Sequence, residues 1–469
     1  MVIRLRGSRN LRQRLVYATL SGRAIRIDDI RAEAESPGLT EYEASLLRLL
    51  EKISNGCVVE INETGTKLRY RPGVLSGGRN LTHDCGTSRA IGYFLQPLFV
   101  LGLFGKKPLH ITLKGVTNDD RDPSIDTLRT ATLPILKRFG VDMADVELKL
   151  VRRGAPPLGG GEVMLRLPIV KQLEPVVWED EGLVKRVRGV AFTARVAPQV
   201  ANRMVDAARG VLNRLLPDVF IFTDHFSGAD SGRSPGFGIS LVAETTSGCL
   251  LSAERAIASC RGEHEGVGGG AGRGGRGGAG GQGEEVPEDL GLQAAQLLLH
   301  EVKQGGVVDG SQQLQGALFM VGLSWQTFGA ADILGSPRSI PSRPAPSLIP
   351  FPSSVGLCAA AVRTAPGGTV LAVGGTSDTL ASPHITSFPP ASLPLIPLPQ
   401  AFVLLLCALC PEELCRVRVG PLTPHTVDAL RDMRAMLGVQ FDIRPDESTG
   451  TVFLSCIGSG HKNLAKPVT

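Results

Sequence analysis

At 469 residues, 42% of them hydrophobic, the chain is long enough for more than one domain and for a sizeable core. A net charge of +5 argues against a strongly basic or acidic tail protein and is compatible with an RNA partner without demanding one. The longest apolar run near the C-terminus, AFVLLLCALC from Ala401, is too short to span a bilayer, and MVIRLRGSRNLRQRL carries no apolar signal core. Nine cysteines without framework spacing read as reduced thiols of an intracellular protein, with no membrane partner expected. Five arginines among the first fifteen residues mimic a transit peptide, but they run straight into a strand pattern.

Residues 24–30 read as a strand, and TEYEASLLRLLEKI (40–53) as an amphipathic helix with Thr40 at its N-cap. A hairpin follows, 58–61 with 67–70, turning at Asn62-Glu63-Thr64-Gly65. A second round comes next: helix 88–101, strand 109–114, helix 124–138, and a hairpin of VELKLVRR and EVMLRLPIV. The fold class is therefore α/β (α+β), and the repeated helix-plus-hairpin units suggest an internal structural repeat. Residues 1–183 form the first part of the repeat domain, and 184–260 read as a small inserted α/β domain.

GVGGGAGRGGRGGAGGQG has 12 glycines in 18 residues, so 261–285 are expected to be a flexible loop. Arg273 and Arg276 give it a short RGG character, suited to a spacer or to RNA. Residues 286–313 are assigned to the repeat domain again, with a helix from 287 to 303. Residues 314–400 are rich in Pro, Ser and apolar residues without a helical or strand period. They end as translated pyrimidine-rich intron sequence closing on CAG would, and are expected to be disordered or intron-derived. Removing these 87 residues joins 308–313 to AFVLLLCALCPEEL as one continuous helix. Residues 401–469 complete the repeat domain.

The hairpin connection RRGAPPLGGGEV is the most specific candidate site. Arg152 and Arg153 supply charge-assisted donors, and Gly159, Gly160 and Gly161 let backbone N–H groups approach an anion. A glycine-rich turn with solvated arginines is the plainer alternative. Lys185, Arg186, Arg188 and Arg195 form a basic strand suited to phosphates or an acidic partner, and Ser231–Gly236 is a polar turn or an anion-binding nest. Cys407, Cys410 and Cys415 lack a second ligand pair and are expected in the core, with no metal.

RGxxPxGGGxV at Arg153–Val163 resembles the signature of the RNA 3′-terminal phosphate cyclase family. NLRQRLVYATLSGRAIRIDDIRA, GVTNDDRDPSIDTLR, SGRSPGFGISLVAETTSG and RVRVGPLTPHTVDALRDMR resemble its eukaryotic cyclase-like branch. The resemblance covers nearly everything except the glycine-rich loop and residues 314–400. It implies a repeated β-α-β-β fold with a small inserted domain.

For function, the resemblance implies a factor of small-subunit pre-rRNA processing in the nucleolus, without cyclase activity and without a cofactor. Its implied partners are pre-rRNA, a ribosome-biogenesis GTPase, and a small nucleolar ribonucleoprotein within the small-subunit processome. Active cyclases carry a GGGQxLR-like nucleotide loop and a nucleophilic histidine in an HLxTN-like motif. Here Gly7-Ser8-Arg9-Asn10-Leu11-Arg12 stands at the first, with Arg12 as a phosphate-binding candidate, and Pro424-His425-Thr426-Val427-Asp428 at the second. Serine and arginine in the loop disfavour ATP, so cyclisation through His425 is the least favoured alternative. Another alternative is an endoribonuclease in which Asp432 acts as base and Arg431 and Arg434 steady the phosphorane.

Overall fold

In the first repeat, α1 (Leu11–Ser21) is buried nearly all round, Leu15 and Tyr17 included, whereas α2 (Glu41–Ile53) buries one face through Leu46, Leu49 and Leu50. The N-terminus of α2 is where the sequence places it: the Thr40 N–H donates to Glu43 Oε2 at 2.9 Å. These details come from a computed structural model describing residues 2–258, 286–309 and 399–463. The glycine-rich loop, its arginines, and all of 314–400 except the last two residues lie outside the described residues.

The strands Ile3–Arg6, Ile25–Asp28, Leu68–Arg71 and Val58–Ile61 lie in that order in one sheet, the first pair parallel and the others antiparallel. The second repeat copies this topology: Gly78–Asp84, Leu109–Gly115, Gly161–Leu167, Glu147–Arg152, with α3 (Ile91–Leu101) and α4 (125–138) between strands. A π-turn at Leu128–Thr132 interrupts α4. Each unit is thus β-α-β-α-β-β, one opening strand longer than the second round read from sequence, and one strand and one helix longer than the first. The extra opening strand is hard to read because IRLR and GRNLTHD carry few apolar residues.

The chain then enters the inserted domain. Its sheet runs Val219–Phe226, Val184–Ala194, Gly236–Thr245, Leu250–Ala258, and α5 (Gln199–Leu212) and α6 (Pro287–Gln304) pack on one face. Leu290, Ala294 and Leu298 of α6 share a core with Val187, Met204, Ile221 and Leu241, separate from the main core. The assignment of 286–313 to the repeat domain therefore needs correction: α6 completes the small domain, because its apolar stripe closes over α5. The chain rejoins the third sheet only afterwards, where the Val307 N–H donates to Arg418 O at 2.9 Å.

The third sheet orders Val177–Trp178, Leu414–Val419, Thr451–Ile457 and Phe441–Asp446 as the first two do, with α7 (Pro399–Leu409) and α8 (Pro424–Leu437). The continuous helix is an expectation for the shortened chain; in the full chain Val308 bridges to Leu250 and α7 begins at Pro399. Gln400, read as the end of the irregular segment, is a buried residue of α7, and its Oε1 accepts from Thr426 Oγ1 at 3.1 Å. Deleting residues 314–400 sets Gln313 directly before Ala401, the place Gln400 holds. We expect the shortened chain to keep its fold, with a calorimetric Tm within about 1 °C of the full chain, equivalent to roughly 1 kcal/mol. Failure of the shortened chain to fold would contradict this.

Candidate functional site

The connection between Glu147–Arg152 and Gly161–Leu167 is held by backbone contacts that leave no room for side chains. A Cβ on Gly154 would stand 2.3 Å from Gly161 N, and one on Gly161 would meet Thr117 Cγ2 at 2.5 Å and Gly115 O at 2.9 Å. Gly159 and Gly160 have φ of 59° and 83°, left-handed conformations that glycine adopts freely. Several loop N–H groups are already engaged: Gly154 N on Thr117 Oγ1, Leu158 N on Ser234 Oγ, and Gly159 N on Ala155 O. The glycines thus knot this loop to the 115–117 and 231–234 segments, and Gly160 and Gly161 also line the neighbouring cleft.

The two arginines part company. Arg153, paired with Arg152 as a phosphate ligand in the sequence reading, is 0% exposed. Its Nη1 donates to Asp126 Oδ2 at 2.7 Å and Asn118 Oδ1 at 3.0 Å, and its Nη2 to Asp126 Oδ1 at 3.3 Å and Asp224 Oδ2 at 3.4 Å. The guanidinium lies 4.2 Å from the Phe192 ring centre, so it pins the second repeat to the inserted domain. Burial alone would push the Asp126 carboxyl up, and Arg153 outweighs it, holding the group below the usual carboxylate range. Arg152 remains exposed.

Arg152 lines a cleft of about 680 Å³ with Lys114, Arg195 and Arg233. None of these four closes an ion pair among the described residues, whereas Arg186 and Arg188 of the basic strand bind Glu244 and Asp218. Across the sheet the register sets Asp84 beside Lys114, and Glu162 between Lys114 and Arg152. With Glu41, three carboxylates face four cations, a modest positive excess. The Arg195 Nε donates to Gly232 O at 2.6 Å, fixing its root and leaving the end of the side chain for a ligand. Such a groove suits several phosphates of one strand held by separate cations better than one tightly clamped phosphate. Lys114 was not singled out from sequence because strand alternation alone does not say which face meets a cleft.

Arg12 is also placed differently from expectation. It is 4% exposed, with its guanidinium 4.4 Å from the Tyr93 ring centre and Nη1 on Tyr93 O at 3.1 Å. It lines a cavity of about 50 Å³ with Gln13, Gln96 and Phe402. That is room for a few waters, far below the several hundred Å³ of a nucleotide site. The fold does bring the two motif positions together: His425 Nε2 lies 3.3 Å from Gln13 Nε2. Burial, then the nearby Arg12, lowers the His425 pKa to about 4, so the ring is neutral at neutral pH.

Asp432 is not on the solvent face with Arg431 and Arg434. It is 7% exposed and accepts from Arg14 Nε at 3.1 Å in the α1–α8 contact, while both arginines project outward and Arg431 binds Asp428 at 3.2 Å. Burial raises the Asp432 pKa, with Arg14 partly opposing it. Cys407, Cys410, Cys415 and Cys456 are buried free thiols, Cys415 and Cys456 being cross-strand neighbours. Among the described residues no group of three or more His, Cys, Asp or Glu is arranged to hold a metal, and no helix is long and apolar enough to cross a membrane.

The family model for RNA 3′-terminal phosphate cyclase matches residues 3–443. The chain belongs to this family. It is 50% identical to the human RNA 3′-terminal phosphate cyclase-like protein over 466 residues, 98% of this chain and 96% of the relative. It is 42% identical over 470 residues to a probable cyclase-like protein of Arabidopsis thaliana, covering 100% of both chains. It is also 46% identical to the rRNA processing protein rcl1 of Schizosaccharomyces pombe over 308 residues, 65% of this chain and 78% of that one. The mixed sheets and helices agree with the α/β fold of the RNA 3′-terminal phosphate cyclases.

Proposed function

We propose that this protein is a ribosome-biogenesis factor that supports small-subunit pre-rRNA processing in the nucleolus and does not cyclise RNA 3′-phosphates. The observation that carries the reading is the cleft at the glycine loop, lined by Lys114, Arg152, Arg195 and Arg233, none of which closes an ion pair among the described residues. The name of the S. pombe relative supports the rRNA role. The absence of cyclase activity is supported by the small space beside Arg12 and by Ser8 and Arg9, which set side chains where the family motif has glycine. RNA would be held along the cleft by its phosphates, with a ribosome-biogenesis GTPase and a small nucleolar ribonucleoprotein as the partners that bring the substrate. The endoribonuclease alternative gains little, because a base must reach the ribose 2′-OH and Asp432 is closed off behind Arg14.

In cells whose own copy is replaced by the Arg152→Gln/Arg233→Gln variant, uncleaved pre-rRNA precursors should accumulate on northern blots, with the variant present at normal level. Normal precursor ratios in those cells would refute the reading.

A further inference from the structure

We infer that Phe220 and Phe222 form a base-stacking platform for single-stranded RNA, continuing the phosphate cleft across the inserted domain. The inference rests on the reading of the cleft as an RNA site. Val219–Phe226 is an edge strand whose successive side chains alternate between faces. Ile221 points to α5 and α6 and is buried in the small-domain core. The even-numbered residues line the opposite face.

At its C-terminal end that face is packed against the glycine loop: Phe226 lies 5.0 Å from the Arg153 guanidinium, and Asp224 accepts from Arg153. Further back, none of the described residues covers it. Phe222 is 62% and Phe220 50% exposed, and they are the only strongly exposed large aromatic side chains among the described residues. Their ring centres are 6.0 Å apart. A solvated sheet face is ordinarily polar, so two adjacent phenylalanines there ask for a ligand.

The topology points the face at the cleft. Val184–Ala194 and Val219–Phe226 run parallel, and both lead directly into cleft-lining residues, Arg195 after the first and Gly228 after the second. Phe222 and Gly228 are six residues apart, about 20 Å of extended chain. That separation lies within the 4–16 nucleotides covered by a typical single-strand site. The chemistry is divided accordingly, with cations for phosphates at one end and ring faces for bases at the other. A protein partner fits less well. The apolar patch is two rings beside Val190, bounded by Arg188 and Asp224, much smaller than the roughly 800 Å² each side of a stable protein interface.

The test uses the full chain and two fluorescein-labelled oligouridylates, a tetramer and a 14-mer, read by anisotropy. Phe220→Ala/Phe222→Ala should weaken the 14-mer at least about 10-fold, leave the tetramer unchanged, and leave the melting curve unchanged because both rings are exposed. A 4-thiouridine 14-mer should cross-link to the peptide containing residues 219–226. Equal 14-mer affinity for the double variant and the parent overturns the platform; if Arg152→Gln/Arg233→Gln still weakens binding, the cleft reading stands without it. A parent protein that binds neither oligomer overturns both. Unchanged RNA affinity with loss of a purified ribosome-biogenesis GTPase would overturn the platform and give the face to a protein.

Discussion

Arg153→Ala should lower the free energy of unfolding by about 3–5 kcal/mol at pH 7, since removing one partner of a buried pair strands the other charge. Asp126 is the stranded group, 2% exposed, with Asn118 left as its neighbour through the lost guanidinium. The loss has a defined pH dependence. In the parent the Asp126 pKa is held below its ordinary value, so its contribution is present above the unfolded pKa and fades as pH falls through the folded one. In the variant burial is opposed only by half-exposed Arg129 and the Asn118 hydrogen bond, so the pKa rises and protonation relieves part of the penalty. Urea titrations of parent and variant should therefore differ most near pH 7 and converge towards pH 4. A uniform difference, or one below 1 kcal/mol, would show that Arg153 is not the pin between the second repeat and the inserted domain.

Gly154→Ala should be comparably damaging for a different reason. Its Cβ meets only backbone, Gly161 N at 2.3 Å and Gly115 O at 2.9 Å, so no rotamer change can relieve it. Overpacking costs typically about 1–3 kcal/mol, and a rigid backbone clash sets this one near the upper end, about 3 kcal/mol, because the shift needed would open the strand pairing that forms the cleft floor. RNA affinity should fall with stability. Gly210→Ala is the control: Gly210 lies in α5 with nothing within 4 Å of its Cβ, and the change should stabilise by roughly 0.5–1 kcal/mol. Equal, small effects at the two positions would mean the glycine loop is not tightly packed.

Much of the fold was legible because the helices carry sharp periodic signals. The stripe and Glu43 of α2 locate it to within a residue, and the Asn62–Gly65 turn sets the first hairpin register. The site was less legible, though two signals were available. Arg152 and Arg153 are consecutive residues at a strand end, so only one can face a given side, and the buried one joins Asp126. On α8 the buried positions Thr426, Ala429, Met433 and Met436 define a stripe, and Asp432 follows Ala429 by three and precedes Met436 by four, which puts it on that stripe. Placement of α6 was not legible from its own residues, because an amphipathic helix does not say which of two cores it covers. Lys114 and Arg233 come from separate elements, and only the close approach at Gly115, Gly160 and Gly232 brings them to one cleft.

The central claim is that the cleft cations hold RNA phosphates. The most direct measurement is the salt dependence of binding to a single-stranded pre-rRNA fragment, for the parent and for Arg152→Gln/Arg233→Gln. The account predicts weaker binding by the variant and a log K against log salt slope shallower by about 1.4, roughly 0.7 for each lost phosphate contact. An unchanged affinity and slope would contradict it.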